Sequence, residues 1–351
     1  MHYDFAAAIT KLIAIAGLLL LCAACAPVVS GLGPATVEPV LARAHFVAAD
    51  GAVLPVRTWL PPGGETKAVI LALHGFNDYS NFFIGAGIYL SGQGIACYAY
   101  DQRGFGAAPG RGLWPGTQAY VDDLRAFAGQ VRRRHPGVPL YVLGESMGGA
   151  VAIAALASAR PPPVDGLILS APAVWGRSTM PWWQLVALET TAHTVPWLRL
   201  TGEGLHVMAS DNIEMLRALG RDPLVIKATR VDAMYGLVDL MDAALDSAGR
   251  LATPTLVLYG EKDEVVPREP VMRMLAKLPA RQTRAAFYAD GYHLLLRDLQ
   301  AEKPWRDIAA WIVRHDAALP SGAELRAGEG LALPAANDET PKIWRDPTAA
   351  R

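Results

Sequence analysis

Thiols are nearly absent from this chain: its 351 residues include three cysteines, Cys22, Cys25 and Cys97. So few exclude a disulfide-stapled scaffold and a cysteine-built metal centre. Histidines number eight, none in an H-x-x-x-H spacing, so neither a metal nor another cofactor is expected. An excess of one charge is also lacking. The 32 Lys and Arg face 33 Asp and Glu, with no long run of one sign to track a polyanion, so no nucleic-acid partner is expected. Arg132, Arg133 and Arg134 close a helical pattern just before Pro136 and read as a solvated helix end. No internal repeat is evident.

Long apolar runs are missing as well. The first apolar segment, 12–21, follows Lys11 and precedes Cys22-Ala23-Ala24-Cys25-Ala26. It falls short of the roughly 20 residues that a membrane-crossing helix needs, so it reads as an export signal over 1–25. Ala23-Ala24-Cys25 resembles the bacterial lipobox, in which the cysteine is acylated and becomes the first mature residue. Cys22 departs from that pattern, which prefers Leu there. The resemblance implies lipidation of Cys25 and attachment to a membrane of the cell envelope, and Ala26 in place of Asp implies outer-membrane sorting. Cys97 would then be the one remaining thiol, a small buried hydrophobe in the strand-like run 95–100.

Hydrophobic residues make up 52% of the chain, enough to bury a large core. Segment 26–44 is rich in Pro, Gly, Ala and Val without a period, which predicts a tether or loosely docked arm, with folded structure starting near His45. Asp50-Gly51 between two strand-like runs predicts a hairpin. Continuously apolar runs at 68–73, 95–100, 140–143, 167–169 and 255–259 fit parallel strands covered on both faces. Helical patterns alternate with them, as in Val121, Leu124, Ala128 and Val131. Alternation of this kind predicts an α/β fold with a mostly parallel sheet over 45–171 and 251–316. Between 172 and 250 the strand rhythm stops and tryptophans accumulate, which predicts a helical cap. The tail, 317–351, lacks a sustained apolar period and is expected to be disordered or laid on the surface as an arm.

Chemistry concentrates in Gly144-Glu145-Ser146-Met147-Gly148, a G-x-S-x-G sequence between a strand and an alanine-rich helical run. In that context glycines permit a sharp turn that projects the serine hydroxyl, while the helix N-terminus aims N–H groups at a nascent oxyanion. A serine hydroxyl needs a base, usually histidine held by a carboxylate. His293 and His315 both follow the last strong strand. His293 lies in a loop after a strand-like run, whereas His315 ends an amphipathic helix as a surface cap. Three carboxylates, Glu261, Asp263 and Glu264, compete for the orienting role after strand 255–259. The loop His74-Gly75-Phe76 is placed to donate to an oxyanion, with Phe76 and Met147 offering backbone N–H groups. His74 itself reads as a structural loop residue.

Together, Leu73-His74-Gly75-Phe76, Asp101-Gln102-Arg103-Gly104-Phe105-Gly106, Gly144-Glu145-Ser146-Met147-Gly148-Gly149, Gly260-Glu261-Lys262-Asp263 and Gly291-Tyr292-His293 resemble the monoacylglycerol lipase and lysophospholipase family of the α/β-hydrolase fold. The resemblance covers about 45–315. It implies Ser146 as nucleophile, Asp263 and His293 as its partners, Phe76 and Met147 as oxyanion donors, and a cap over 172–250 able to receive an acyl chain. The implied activity is hydrolysis of single-chain lipid esters through an acyl-enzyme. A short-chain carboxylesterase, an acyltransferase, a peptidase and a non-catalytic envelope lipoprotein remain the alternatives.

Overall fold

The computed structural model describes residues 26–202, 204 and 207–325; the segment read as an export signal, Cys25 included, lies outside the described residues. The chain opens with short antiparallel strands β1 (Val40–Leu41) and β2 (His45–Val47), then β3 (Val53–Trp59). The hairpin turn falls at Asp50-Gly51, where Gly51 takes a φ of 83°. Strand β4 (Ala68–Leu73), helix α1 (Ile84–Gly92), strand β5 (Ile95–Tyr100), helix α2 (Thr117–Arg134), strand β6 (Leu140–Glu145), helix α3 (Met147–Leu156) and strand β7 (Gly166–Ser170) follow. The next segment carries α4 (Trp182–Thr194), β8 (Arg199–Thr201), α5 (Ile213–Arg221), β9 (Ala228–Arg230) and α6 (Val231–Ser247). Strand β10 (Thr255–Gly260), helix α7 (Arg268–Lys277), strand β11 (Thr283–Tyr288) and helix α8 (Glu302–Val313) complete the fold.

The main sheet has nine strands in the order β1-β2-β3-β5-β4-β6-β7-β10-β11. From β5 to β11 every pairing is parallel, and β1, β2 and β3 join antiparallel. All six residues of β4, β5, β6 and β10 are buried. Their lack of alternation follows from helices on both faces, so neither side of these strands meets water. One core packs α2, α3, α6 and α7 against one face, and a second packs α1 and α8 against the other.

The two flanking segments settle between stated alternatives, and the cap differs from expectation. The segment 26–44 takes the docked-arm form of the expectation and not that of a free tether, and it enters the sheet before His45: Ser30 N–H donates to Trp114 O at 2.9 Å, Val29 bridges to Trp114, and Leu41 is buried in β1. Backbone hydrogen bonds hold the arm, and they leave no side-chain period to read. The cap contains a two-stranded antiparallel sheet, β8 with β9, besides its helices. It also ends earlier than 250. Helix α6 packs on α3 and buries Val238, Leu240, Met241, Ala244 and Leu245, so it belongs to the core layer. Residues 317–325 take the expected form of an arm laid on the surface, lying on β11 with Leu325 N–H donating to Ala285 O at 2.9 Å and Leu319 buried. Residues 326–351 lie outside the described residues.

The turn after β5 is pinned by ions. Arg103 donates to Asp123 at 2.6 and 2.9 Å, and to both oxygens of Asp50 at 2.8 Å. Burial pushes the Asp123 carboxyl up to about 6 even with Arg103 pulling it down. Removing the guanidinium strands Asp123 as an uncompensated buried charge. Arg103→Leu is expected to cost about 3–5 kcal/mol, measured by urea unfolding, and Asp123→Leu on that background should recover part of the loss. Equal stability in wild type and Arg103→Leu would contradict this account.

Candidate active site

The strand β6 ends at Glu145 and helix α3 begins at Met147, so Ser146 alone makes the turn between them. Its backbone sits at φ 48° and ψ −115°, a conformation that costs on the order of 1–3 kcal/mol in a residue with a side chain. Surrounding bonds hold it there: Ser146 N–H donates to Ser170 O at 3.0 Å, and Ser146 O accepts from Gly149 and Ala173 at 2.9 Å. Gly148 is required, because a Cβ there would stand 2.1 Å from the Leu73 carbonyl oxygen.

Ser146, His293 and Asp263, which the sequence spreads over 147 positions, meet at this turn. His293 Nε2 is 3.0 Å from Ser146 Oγ, and His293 Nδ1 is 2.8 Å from Asp263 Oδ2. With Nδ1–H donating to the carboxylate, Nε2 is left as an acceptor for the serine proton. Asp263 Oδ1 accepts from Val265 and Val266 N–H at 2.8 and 2.9 Å, which fixes the carboxylate in the loop after β10. Of the competing acids, Glu264 caps Met208 N–H at 2.8 Å and Glu261 faces Arg268. His315 is remote from this group, stacking on Trp311 and meeting the Tyr141 hydroxyl at 3.1 Å. Burial pushes the His293 imidazole down, but Asp263, with Glu145 and Asp298, outweighs it and raises the net value above 6.5.

The loop after β4 runs beside the serine, since a Cβ on Gly75 would stand 3.3 Å from Ser146 Cβ. His74 staples this loop in its neutral form, donating from Nδ1 to Gly75 O at 2.8 Å and accepting the Gln102 N–H at Nε2 at 2.9 Å. Burial lowers its basicity, in keeping with that role. Among the described residues, neither Phe76 N–H nor Met147 N–H donates to a protein acceptor. Among them, too, no group of acidic, histidine and cysteine side chains is arranged to hold a metal.

Glu145, one position before Ser146, has a role the motif pattern conceals by treating that position as free. It is fully buried, its Oε1 lies 3.8 Å from His293 Nε2, and that oxygen has no hydrogen-bond partner. Burial pushes its carboxyl up to about 8, with His293 pulling the other way. The unfolded chain releases this proton near 4.5, whereas the native state keeps it to about 8, so the group's contribution to stability is lost as pH rises across that window. Glu145→Gln has no proton to lose. Its melting temperature relative to wild type should therefore climb by several degrees between pH 5 and pH 9; a constant difference would contradict the buried, protonated carboxyl.

The cap is tied to both sides of the site. Leu294 N–H donates to Ala209 O at 2.9 Å, and Ser210 Oγ donates to Asp298 at 2.6 Å, beside the His293 loop. On the other side Ile226 N–H donates to Asn77 O at 2.9 Å, and Asn77 Nδ2 donates to Thr229 Oγ1 at 2.7 Å. Asn77 takes a positive φ of 67° to reach the cap. None of these contacts has a sequence signal, because each joins distant polar residues in loops. Trp182, Trp183 and Val186 of α4 are exposed, while Met180 and Leu188 pack on the core.

A serine hydroxyl on a strained strand-to-helix turn, in line with an imidazole and a buried carboxylate, beside a mostly parallel sheet, is the arrangement of a serine hydrolase with the α/β-hydrolase fold. More narrowly, the chain belongs to the family described as Serine aminopeptidase, S33, which matches residues 64–300. It is 24% identical over 283 residues to the monoacylglycerol lipase of Mycolicibacterium smegmatis, covering 77% of this chain and 97% of the relative. It is 26% identical to the mouse monoglyceride lipase over 286 residues, covering 79% and 92%. The structure of a soluble variant of Saccharomyces cerevisiae monoglyceride lipase shares the fold with a TM-score of 0.68 at 20% identity, covering 82% of this chain and 99% of that one.

Proposed function

We propose that this protein hydrolyses single-chain lipid esters, such as a monoacylglycerol or a lysophospholipid, through an acyl-enzyme on Ser146. The observation that carries the reading is the unbroken relay from Asp263 through His293 to Ser146 Oγ, at 2.8 and 3.0 Å. In the first half-reaction Ser146 Oγ attacks the ester carbonyl while His293 Nε2 takes its proton, and the tetrahedral oxyanion receives the free N–H groups of Phe76 and Met147. Collapse expels the alcohol, which takes the proton from His293. Water then attacks the acyl-enzyme with His293 again as base, releasing the fatty acid. The lipid reading is supported by the lipases among its relatives and by the apolar side chains that the cap leaves at the surface, Trp182 at 75% exposure and Trp197 at 56%. A panel running from p-nitrophenyl acetate to laurate, with monoacylglycerols, lysophospholipids and aminoacyl amides, tests it on the full chain. Turnover rising with acyl length supports the reading, preference for acetate points to a general carboxylesterase, and preference for the amides makes the protein a peptidase.

Export and acylation of Cys25, with attachment to an envelope membrane, form part of the same proposal. They rest on the sequence 11–26. Incorporation of a clickable palmitate analogue should be seen in the wild type and lost in Cys25→Ser; equal labelling of both would overturn the anchor.

A further inference from the structure

The seam between cap and core holds an open concavity of about 500 Å³, lined by Arg111, Arg199, Arg221, Lys227 and Asp222 together with Ile226 and neighbouring backbone. None of Ser146, Asp263 and His293 lines it. Several arginines of this protein sit against carboxylates, as Arg103, Arg177, Arg230, Arg284 and Arg297 do. The four cations here do not: among the described residues none of them forms an ion pair. Arg111 donates to the carbonyls of Gly106 and Pro223, Arg199 to that of Ala228, and Lys227 to those of Asp222 and Val225. Carbonyl contacts orient Arg111, Arg199 and Lys227 without supplying an opposite full charge, while Arg221 is exposed. Asp222, the one carboxylate of the lining, is already committed to the Tyr79 hydroxyl at 2.7 Å and to Leu224 N–H at 2.8 Å.

Four cations facing one committed carboxylate stand out in a chain whose total charge is nearly balanced. Oriented guanidinium forks match tetrahedral oxyanions, and a phosphate ester brings both the charge and several acceptor oxygens. The wall is also close to the chemistry. Ile226 is bonded to Asn77, two residues beyond Gly75, and two residues of chain span at most about 7 Å.

We propose that this cavity is a phosphate-binding site, its ligand a small phosphate ester carried on a lipid headgroup or free in solution. As a headgroup site it rests on the lipid reading given above and selects phosphorylated single-chain lipids over neutral ones. As a site for a free phosphate ester it stands without that reading.

The test pairs binding with turnover on the full chain. Binding of glycerol 3-phosphate is followed by calorimetry for wild type, for Arg199→Gln/Arg221→Gln/Lys227→Gln, and for the single exposed reversal Arg221→Glu, with melting curves confirming that each variant folds. Wild type should bind, the triple variant at least tenfold more weakly, and raised salt should weaken binding further. In parallel, the ratio of kcat/KM for lysophosphatidylglycerol to that for a monoacylglycerol of the same acyl chain is measured. A fall of at least fivefold in that ratio in the folded variants supports the headgroup source, and glycerol 3-phosphate binding with an unmoved ratio supports the free ester. Binding without hydrolysis of either lipid sinks the lipid reading while leaving the phosphate site standing. Glycerol 3-phosphate binding that is absent from wild type, or equal in all three proteins, overturns the site.

Discussion

Ser146→Ala is expected to lower kcat for ester hydrolysis by about 10⁴-fold or more while the protein stays folded. The loss should be this large because Ser146 Oγ is the atom that His293 Nε2 faces at 3.0 Å, and the turn places no second hydroxyl there. Activity should fall to what oxyanion stabilisation and substrate binding provide on their own. The melting temperature is the control: Ser146 stands at a φ of 48°, which alanine tolerates no better, so folding stability should change little in either direction. Rates measured on a p-nitrophenyl ester and on a monoacylglycerol should collapse together. Activity retained in the variant would mean that another group is the nucleophile.

Asp263→Asn should lower kcat by about 10³–10⁴-fold through a different route. The side chain keeps its size, and its oxygen can still accept from Val265 and Val266 N–H, so the loop after β10 should persist. What changes is the partner of His293 Nδ1, since an amide that turns its NH₂ toward the ring no longer holds the tautomer with a free Nε2. Asp263 is also the charge that most strongly raises the His293 imidazole against its burial. The base works only when neutral, so wild-type kcat/KM should fall below a midpoint lying above 6.5. Without the carboxylate the imidazole titrates lower, and this acid limb should move to lower pH in the variant. A pH–rate profile of both proteins measures it; a limb that stays in place with near-normal kcat would show that Asp263 is not the orienting acid.

Much of this geometry is legible in the sequence for identifiable reasons. Strands such as 68–73 and 140–145 are apolar throughout because helices cover both faces, and that pattern survives in one dimension. The serine is legible because the strand-to-helix turn imposes small residues around it, and a Cβ at position 148 would strike the Leu73 carbonyl. The acid is less so. Glu261, Asp263 and Glu264 are chemically similar neighbours, and only the loop path decides that Asp263 meets the imidazole while Glu264 turns to Met208.

Other features leave no periodic trace. Helix α6 has the apolar pattern of any packed helix, so its membership of the core layer emerges only from its contact with α3. The arm 26–44 is held by backbone hydrogen bonds to Trp114 and by the β1 pairing, which composition does not encode. Glu145 escapes notice because its meaning depends on burial beside His293. The basic lining of the seam joins Arg111 of the core to Arg199, Arg221 and Lys227 of the cap, and in sequence these are unremarkable scattered charges.

Treatment with a fluorophosphonate, followed by intact mass and peptide mapping, tests the central claim most directly. The account predicts one adduct per folded chain, located on the peptide containing Ser146, lost in Ser146→Ala and strongly slowed in Asp263→Asn. A folded wild-type protein that takes up no adduct, or takes it up at a residue other than Ser146, would contradict it.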